Sequence, residues 1–262
     1  MTDADKGEGG FRGSLRTDLR RCRSARLHLL VPGVLSATLA LAAIAFVIVS
    51  GAVGTSVDFS SFVGVVTTNS AWLFGSVFAL VGLFVAYPER ESDDAHESVF
   101  GKLLSRWLLV TLGVVLGSVV VLVVAVAAFD SFGIVSFVAF ALLTTATVCA
   151  YVSVGVTLAA LTRTDERLIL SLLSVYVFFV HLWDTALLPT LVAMAVVGDA
   201  AGVVGSPPPF YDALLALSPY GAYAALSNAV VGDTGGGVSM VAAFAFFLWL
   251  FVPPLLAVLL TD

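Results

Sequence analysis

Long apolar runs alternate with short polar stretches along this chain, and that pattern predicts its architecture. A helix needs about 20 apolar residues, at about 1.5 Å of rise each, to cross roughly 30 Å of hydrocarbon. Six stretches meet that length: 27–53, 62–87, 107–129, 134–161, 168–197 and 238–260. We therefore expect an all-α integral membrane protein with six transmembrane helices, which form a single membrane domain over residues 1–262.

The connection between the last two runs, residues 198–237, is much longer than the others. Prolines divide it into short pieces at Pro207, Pro208, Pro209 and Pro219, and apolar residues follow from Tyr211 to Val231. Irregular backbone within a membrane must be covered by protein. The pattern predicts short re-entrant helices that dip into the outer side of the membrane and pack against the helix bundle.

Composition strengthens the membrane assignment. Hydrophobic residues make up 60% of the chain and charged residues 11%, far from the balance of a soluble domain. The first apolar run is longer than the core of a cleaved signal peptide. The two cysteines, Cys22 and Cys149, provide neither a disulfide framework nor the spacing of a metal site.

Basic residues predict the orientation, because Lys and Arg are retained in short cytoplasmic loops. All twelve precede the first run or lie between runs two and three or four and five: Lys6, Arg12, Arg16, Arg20, Arg21, Arg23, Arg26, Arg90, Lys102, Arg106, Arg163 and Arg167. The opposite connections, 54–61, 130–133 and 198–237, carry only acidic and neutral residues. We expect a multi-pass protein of the cell membrane with both termini in the cytoplasm.

Two short motifs flank the predicted loop between runs two and three. The sequence ERES, residues 89–92, follows the second run directly, and GKLLSR, residues 101–106, directly precedes the third. In this order they resemble the permease subunits of ABC-2 type transporters, including the NosY-like branch. In that family an E-R-E-S/G motif leaves the second span, and G-K-x-x-G/S-R opens the third.

Further features fit the resemblance, which covers most of the chain. The Arg-rich segment 14–26 lies where the family has a helix along the cytoplasmic membrane surface, and basic side chains suit anionic headgroups. The long connection carries SPPPFYDALLALSPYGAYAAL, which resembles the Pro-rich outer segment of the family with its L-S-P element. Six spans with both ends inside also match.

The resemblance implies a transport subunit without catalytic, metal-binding or cofactor-binding residues of its own. No P-loop is present, since Gly101-Lys102 is followed by Leu103 and lacks the preceding glycine. ATP would therefore bind a separate ABC ATPase, and the permease would pair with a second copy or a related chain. The resemblance assigns ATPase coupling to the loop residues Glu89, Arg90, Glu91, Ser92, Gly101, Lys102 and Arg106, and it favours export.

One departure from the family lies inside that loop. The family has a longer segment between the two motifs, where only DDAHESVF stands here. This shortening favours the alternative of a membrane scaffold or accessory protein that does not transport. An intramembrane enzyme is a third alternative, although the chain lacks G-x-S-G, H-E-x-x-H and paired glutamates. The sequence pattern does not identify a substrate class.

His181 and Asp184 stand within the fifth run, where ionisable residues cost about 2.5 to 3.5 kcal/mol each. Their i, i+3 spacing places them on one helix face. We expect either a paired or hydrated site in the outer leaflet or part of a translocation pathway, and a metal-binding or catalytic role is the third alternative, although two polar groups fall short of the three or four ligands of a metal site.

Gly113 and Gly117 form a GxxxG motif in the third run, and such glycines let helices approach closely. The motif favours packing within the subunit, with a dimer contact as the alternative.

Overall fold

The computed structural model describes residues 27–67, 99–162, 164–183, 187, 189, 192–193, 196, 209–231 and 239–261. These residues are mostly helical, and they include no β-strand. The all-α prediction is therefore confirmed for the described part of the chain. The Arg-rich segment, most of the second run, the ERES motif and Asp184 lie outside the described residues.

The helices follow the apolar runs because, within lipid, a helix satisfies its own backbone hydrogen bonds. In chain order they are α1 (Leu27–Val53), α2 (59–67), α3 (Val99–Ala128), α4 (Ile134–Leu161), α5 (Asp165–Tyr176), α6 (Pro209–Leu215), α7 (Pro219–Val231) and α8 (Met240–Thr261). A π-helical turn, Val177–Leu182, continues α5.

Three helices in the described part of the chain are long and apolar enough to cross a membrane, with spanning segments Leu30–Val53, Leu103–Ala128 and Ile134–Ala159. A shorter apolar segment, Met240–Leu256, lies in α8. A multi-pass membrane protein is thus confirmed. Six spans, the orientation of the termini and the re-entrant helices remain predictions.

α3 begins earlier than the sequence pattern predicted. The apolar run starts at residue 107, whereas the helix starts at Val99. The helix includes the more polar residues before the run because Lys, Leu and Arg are good helix formers, and a helix need not end where its hydrophobicity does.

Two of the connections between helices meet at one end of the bundle. At one end, the backbone N–H of Asp130 donates to the carbonyl of Val57 at 2.7 Å, so the connections 54–61 and 130–133 meet. Toward the other end, Trp107 donates to Ser153 at 3.1 Å. The two connections 54–61 and 130–133, which lack Lys and Arg, therefore share one end, and the side of the membrane that this end faces stays a prediction.

α4 is the central helix, since it packs against α3, α5, α7 and α8. Its residues Tyr151, Val152 and Ser153 are buried in the centre of the bundle. α1 packs along the opposite side of α3. The core is therefore built around two antiparallel neighbours, α3 and α4.

The GxxxG motif packs within the subunit. A Cβ atom on Gly113 would lie 2.6 Å from the Cα of Pro32, and one on Gly117 would lie 3.1 Å from the Cα of Ser36. These distances leave no room for a larger side chain between α1 and α3. This face is occupied by α1, so the GxxxG dimer alternative is wrong.

A loop clip, which we define as residues 57–59 and 130–131, joins the connections at the Ile134 end of α4. Asp58 and Ser131 form an isolated parallel β-bridge, and the N–H of Phe59 donates to the carbonyl of Ser131 at 3.2 Å. The carboxylate of Asp130 also accepts from the N–H of Val57 at 3.1 Å. The clip thereby ties α1–α2 to α3–α4.

Aromatic rings fill the space around the clip. Phe59 is 3% exposed, and its ring lies 5.5 to 6.4 Å from five other phenylalanine rings. We call the set the phenylalanine cluster: Phe46, Phe59, Phe62, Phe129, Phe132, Phe137 and Phe140. Tilted and edge-to-face pairs of this kind are favourable beyond the area that they bury.

Candidate functional site

The residues that resemble the Pro-rich family segment form a helical hairpin, residues 209–231. It consists of α6, a turn at 216–218 and α7. The hydroxyl of Ser218 accepts from the N–H of Gly221 at 2.9 Å, so Ser218 caps the start of α7. The L-S-P element, Leu217 to Pro219, is therefore the reversal point of the hairpin.

Gly221 is required by a close approach inside this turn. A Cβ atom at Gly221 would overlap the carbonyl oxygen of Leu215. Only glycine lets α6 and α7 approach at this point without moving the backbone. The turn is consequently compact enough to be inserted between neighbouring helices.

Two tryptophans from different helices hold the turn. The indole N–H of Trp183 donates to the carbonyl of Leu214 at 3.1 Å. That of Trp249, on α8, donates to the carbonyl of Leu217 at 2.8 Å. The last carbonyls of a helix have no partner within it, and such groups are costly to leave unpaired in lipid. The indoles add hydrogen bonds at the end of α6 and in the turn, where the carbonyl of Leu214 also accepts from the backbone N–H of Leu217 at 3.2 Å.

A third hydrogen bond fixes the second arm. The hydroxyls of Tyr223 and Thr144 lie 3.0 Å apart, and both side chains are fully buried between α7 and α4. Ala222 and Leu226 are buried on the same arm. α7 is thus seated on α4 and α8 through packing and one buried polar pair.

The hairpin reaches far along the bundle. Thr144 is ten residues into α4, or about 15 Å from its Ile134 end at about 1.5 Å per residue. Pro219 contributes to the wall of a small recess that is also lined by Tyr151, Tyr176, Phe179 and Trp249. Tyr151 lies about 25 Å along α4 by the same measure, so the turn is close to the middle of the bundle.

Two helices that contact the hairpin turn have irregular geometry. The π-helical turn Val177–Leu182 ends one residue before Trp183, and π-helical turns are frequent at functional sites. Phe179 packs edge-to-face on Trp249, with ring centroids 4.8 Å apart. In α8, Pro253 and Pro254 interrupt the hydrogen-bond ladder. The hydroxyl of Thr157 lies 2.7 Å from the carbonyl of Pro253.

The predicted pathway pair is only partly described. The backbone of His181 belongs to the π-helical turn, whereas its side chain and all of Asp184 lie outside the described residues. The i, i+3 spacing assumed an α-helix, but a π-helical turn rotates successive residues differently. The shared face of His181 and Asp184 therefore stays a prediction.

The GKLLSR motif belongs to α3 and does not precede it. Gly101 is buried near the start of the helix, and Arg106 is 3% exposed. The side chain of Lys102, and all of Glu89, Arg90, Glu91 and Ser92, lie outside the described residues. The two motifs are therefore not seen together, and their role in coupling stays a prediction.

The pattern of the sequence did not single out Trp249 or Thr144. Trp249 stands in an uninterrupted apolar run, where its N–H gives no signal. A buried tryptophan or tyrosine usually finds a hydrogen-bond partner, but the sequence does not indicate which one. Trp183 likewise gives no signal in the sequence for its hydrogen bond to the hairpin.

The family comparison decides the identity of this bundle. The model of the family described as ABC-2 family transporter protein matches residues 96–260, which include α3 to α8 and the hairpin. The chain belongs to the ABC-2 transporter family. The resemblance inferred from the motifs is confirmed at the level of the family, and the NosY-like branch stays a prediction.

An ABC-2 permease is the transmembrane component of a transporter and is not itself the catalytic one. Such permeases normally work with an ABC ATPase. The match begins at residue 96, after the ERES motif, so that part of the resemblance is not covered by it. A comparison with curated proteins found no match.

Proposed function

We propose that this protein is the permease subunit of an ATP-driven ABC-2 exporter in the cell membrane. The family match over residues 96–260 carries the proposal, because the residues matched contain the central helices and the hairpin. Two such permeases, identical or related, form the transport path. Energy comes from a separate ABC ATPase that binds their cytoplasmic loops.

Six spans with both termini inside complete the proposal. The one-sided distribution of Lys and Arg supports this orientation. The connections 54–61 and 130–133, which lack basic residues, meet at one end of the bundle. In this orientation the hairpin enters from the outer side and stops near the middle of the membrane.

Coupling to the ATPase is assigned to Glu89, Arg90, Glu91, Ser92, Gly101, Lys102 and Arg106. Gly101 and Arg106 lie within α3, so a force on the preceding loop would be transmitted along a rigid helix. α3 packs against both α1 and α4. Movement at its first turns would reach the centre of the bundle.

The test is co-purification in mild detergent with an ATPase encoded by a neighbouring reading frame. We expect the tagged chain to retain the ATPase and to change its rate of ATP hydrolysis. Glu89→Ala and Arg90→Ala should weaken both effects, whereas Asp233→Ala, in the predicted outer connection, should leave them unchanged.

Two results would contradict the proposal. One is a chain that retains no ATPase under any condition that preserves its folded state. The other is labelling of Arg90→Cys or Arg163→Cys from outside intact cells, which would reverse the orientation.

A further inference from the structure

The hairpin is held at its turn by donors that are distinct from its general packing. The carbonyls that receive the two indole N–H groups belong to Leu214, near the end of α6, and to Leu217, within the turn. The donors come from separate helices. Seating of the turn therefore depends on the relative position of the π-helical turn and α8.

Both donors stand beside an irregular part of their own helix. Trp183 follows the π-helical turn directly. Trp249 is four residues before Pro253, which has no N–H to donate to the carbonyl of Trp249. Helices bend at such positions. A bend at either one would move an indole relative to the turn without unfolding the helix.

We propose that Trp183 and Trp249 are positioning residues that hold the hairpin turn in its seat, and that withdrawal of their N–H groups releases it toward the outer side. This inference rests on the proposed function for the direction of release. In the seated state, Pro219 forms a wall of the recess beside Tyr151 and Tyr176. Release opens this aromatic surface to the path.

The experiment measures access to the turn and needs no known substrate. Ala216, in the turn, is 2% exposed. In a chain with Cys22→Ser and Cys149→Ser, Ala216→Cys is the reporter, and a membrane-impermeant maleimide is added to intact cells. If Ala216→Cys does not fold, Ala222→Cys replaces it, because Ala222 lies near the start of α7 and is fully buried.

We expect Trp249→Phe and Trp183→Phe each to raise the labelling rate of the reporter about fivefold, as loss of about 1 kcal/mol predicts. Phenylalanine keeps an aromatic ring at each position but removes the N–H. Trp107→Phe is the matched control, because Trp107 on α3 donates its N–H to Ser153 on α4 and not to the hairpin. It should leave the rate unchanged.

Native Cys149 reports general loosening, because it is 6% exposed between α3 and α4. In chains that keep Cys149 and lack the reporter, its labelling should stay low in all three Trp variants. Equal reporter labelling in the three variants would overturn the proposal. So would a rise at Cys149 that parallels the rise at the reporter, since the effect would then be unfolding.

ATPase co-purification is measured on the same variants. Its absence in every chain, including the parent, would reject the proposed function while the labelling result still decides the role of the tryptophans. Retention of the ATPase with unchanged reporter labelling would reject the positioning role alone.

Discussion

The loop clip and the hairpin are held by different kinds of interaction. The clip combines backbone hydrogen bonds between two connections with the phenylalanine cluster around it. The turn of the hairpin depends on hydrogen bonds from single side chains, Trp183 and Trp249, to backbone carbonyls. The clip distributes its stability over many contacts, whereas the turn concentrates it in a few.

This difference separates a fixed region from one that can be released. Each ring in the phenylalanine cluster makes favourable contacts with several other rings. Movement of one helix would therefore leave some of these contacts in place. A hydrogen bond from one indole is different, because a small shift of its helix lengthens the single donor–acceptor distance and breaks the bond. We therefore expect the clip to stay closed while the hairpin moves.

Removal of a ring from the cluster should have the largest effect. Phe59→Ala deletes a side chain that contacts five other rings, and we expect a loss of about 3 kcal/mol in the free energy of unfolding. The measurement is denaturation in mild detergent.

Phe247→Ala is the matched control, because Phe247 is 61% exposed on α8. This variant should lose less than about 1 kcal/mol in the free energy of unfolding, since the substitution removes little packing. Equal losses in the two variants would mean that the cluster does not fix the clip.

A methyl group in the hairpin turn should have the next largest effect. Gly221→Ala places a carbon against the carbonyl of Leu215, and we expect a loss of about 2 kcal/mol in the free energy of unfolding. Gly64→Ala, in α2 near the clip, is the control, because a Cβ there meets no atom within 4 Å.

Gly64→Ala should stabilise the protein by up to about 1 kcal/mol, since alanine favours the helix more than glycine does. Thermal unfolding of the two variants in the same detergent checks the contrast. A tolerated Gly221→Ala would show that the turn is not as close-packed as the structure indicates.

The smallest effect should come from the cap at the clip. The carboxylate of Asp58 accepts from the hydroxyl of Ser60 at 2.6 Å and from the N–H of Ser61 at 2.7 Å, and it caps α2. Asp58→Ala should cost about 1 kcal/mol in the free energy of unfolding, whereas Asp58→Asn keeps an acceptor and should cost less.

The cap also predicts a dependence on pH. The hydrogen bond from Ser60, and next that from the N–H of Ser61, lower the pKa of Asp58 below its ordinary value. Its contribution to stability is therefore present above the ordinary pKa of aspartate and is lost as the pH falls through the lowered pKa. Thermal unfolding measured as a function of pH should show that the parent protein loses stability at acid pH and that Asp58→Asn loses less.

Some features followed from local pattern alone. The bounds of α1 and α4 coincide with the apolar runs 27–53 and 134–161, because a run of lipid-compatible residues can satisfy its backbone only as a helix. The prolines between residues 207 and 219, with the apolar residues that follow, likewise predicted short helices in the long connection. The family resemblance rested on the ERES, GKLLSR and L-S-P elements, of which GKLLSR and L-S-P lie inside the residues that the family model matches.

Other features depended on distances between parts of the chain that are far apart in sequence. Gly113 could have packed on a second subunit, and only its contact with Pro32 decided against this. Trp249 and Leu217 are 32 residues apart, and Thr144 and Tyr223 are 79 apart. An apolar pattern records that a side chain avoids water, but it does not record which neighbour its polar atom faces.

The chain's order of residues thus determined its solvent and the helices α1 and α4, since each is a property of short segments. The tertiary arrangement decided where the hairpin ends and what holds it. That decision is physical: the packing of the π-helical turn and α8 beside the hairpin brings the indole N–H groups of Trp183 and Trp249 to the carbonyls of Leu214 and Leu217, and no short segment of the sequence specifies these contacts.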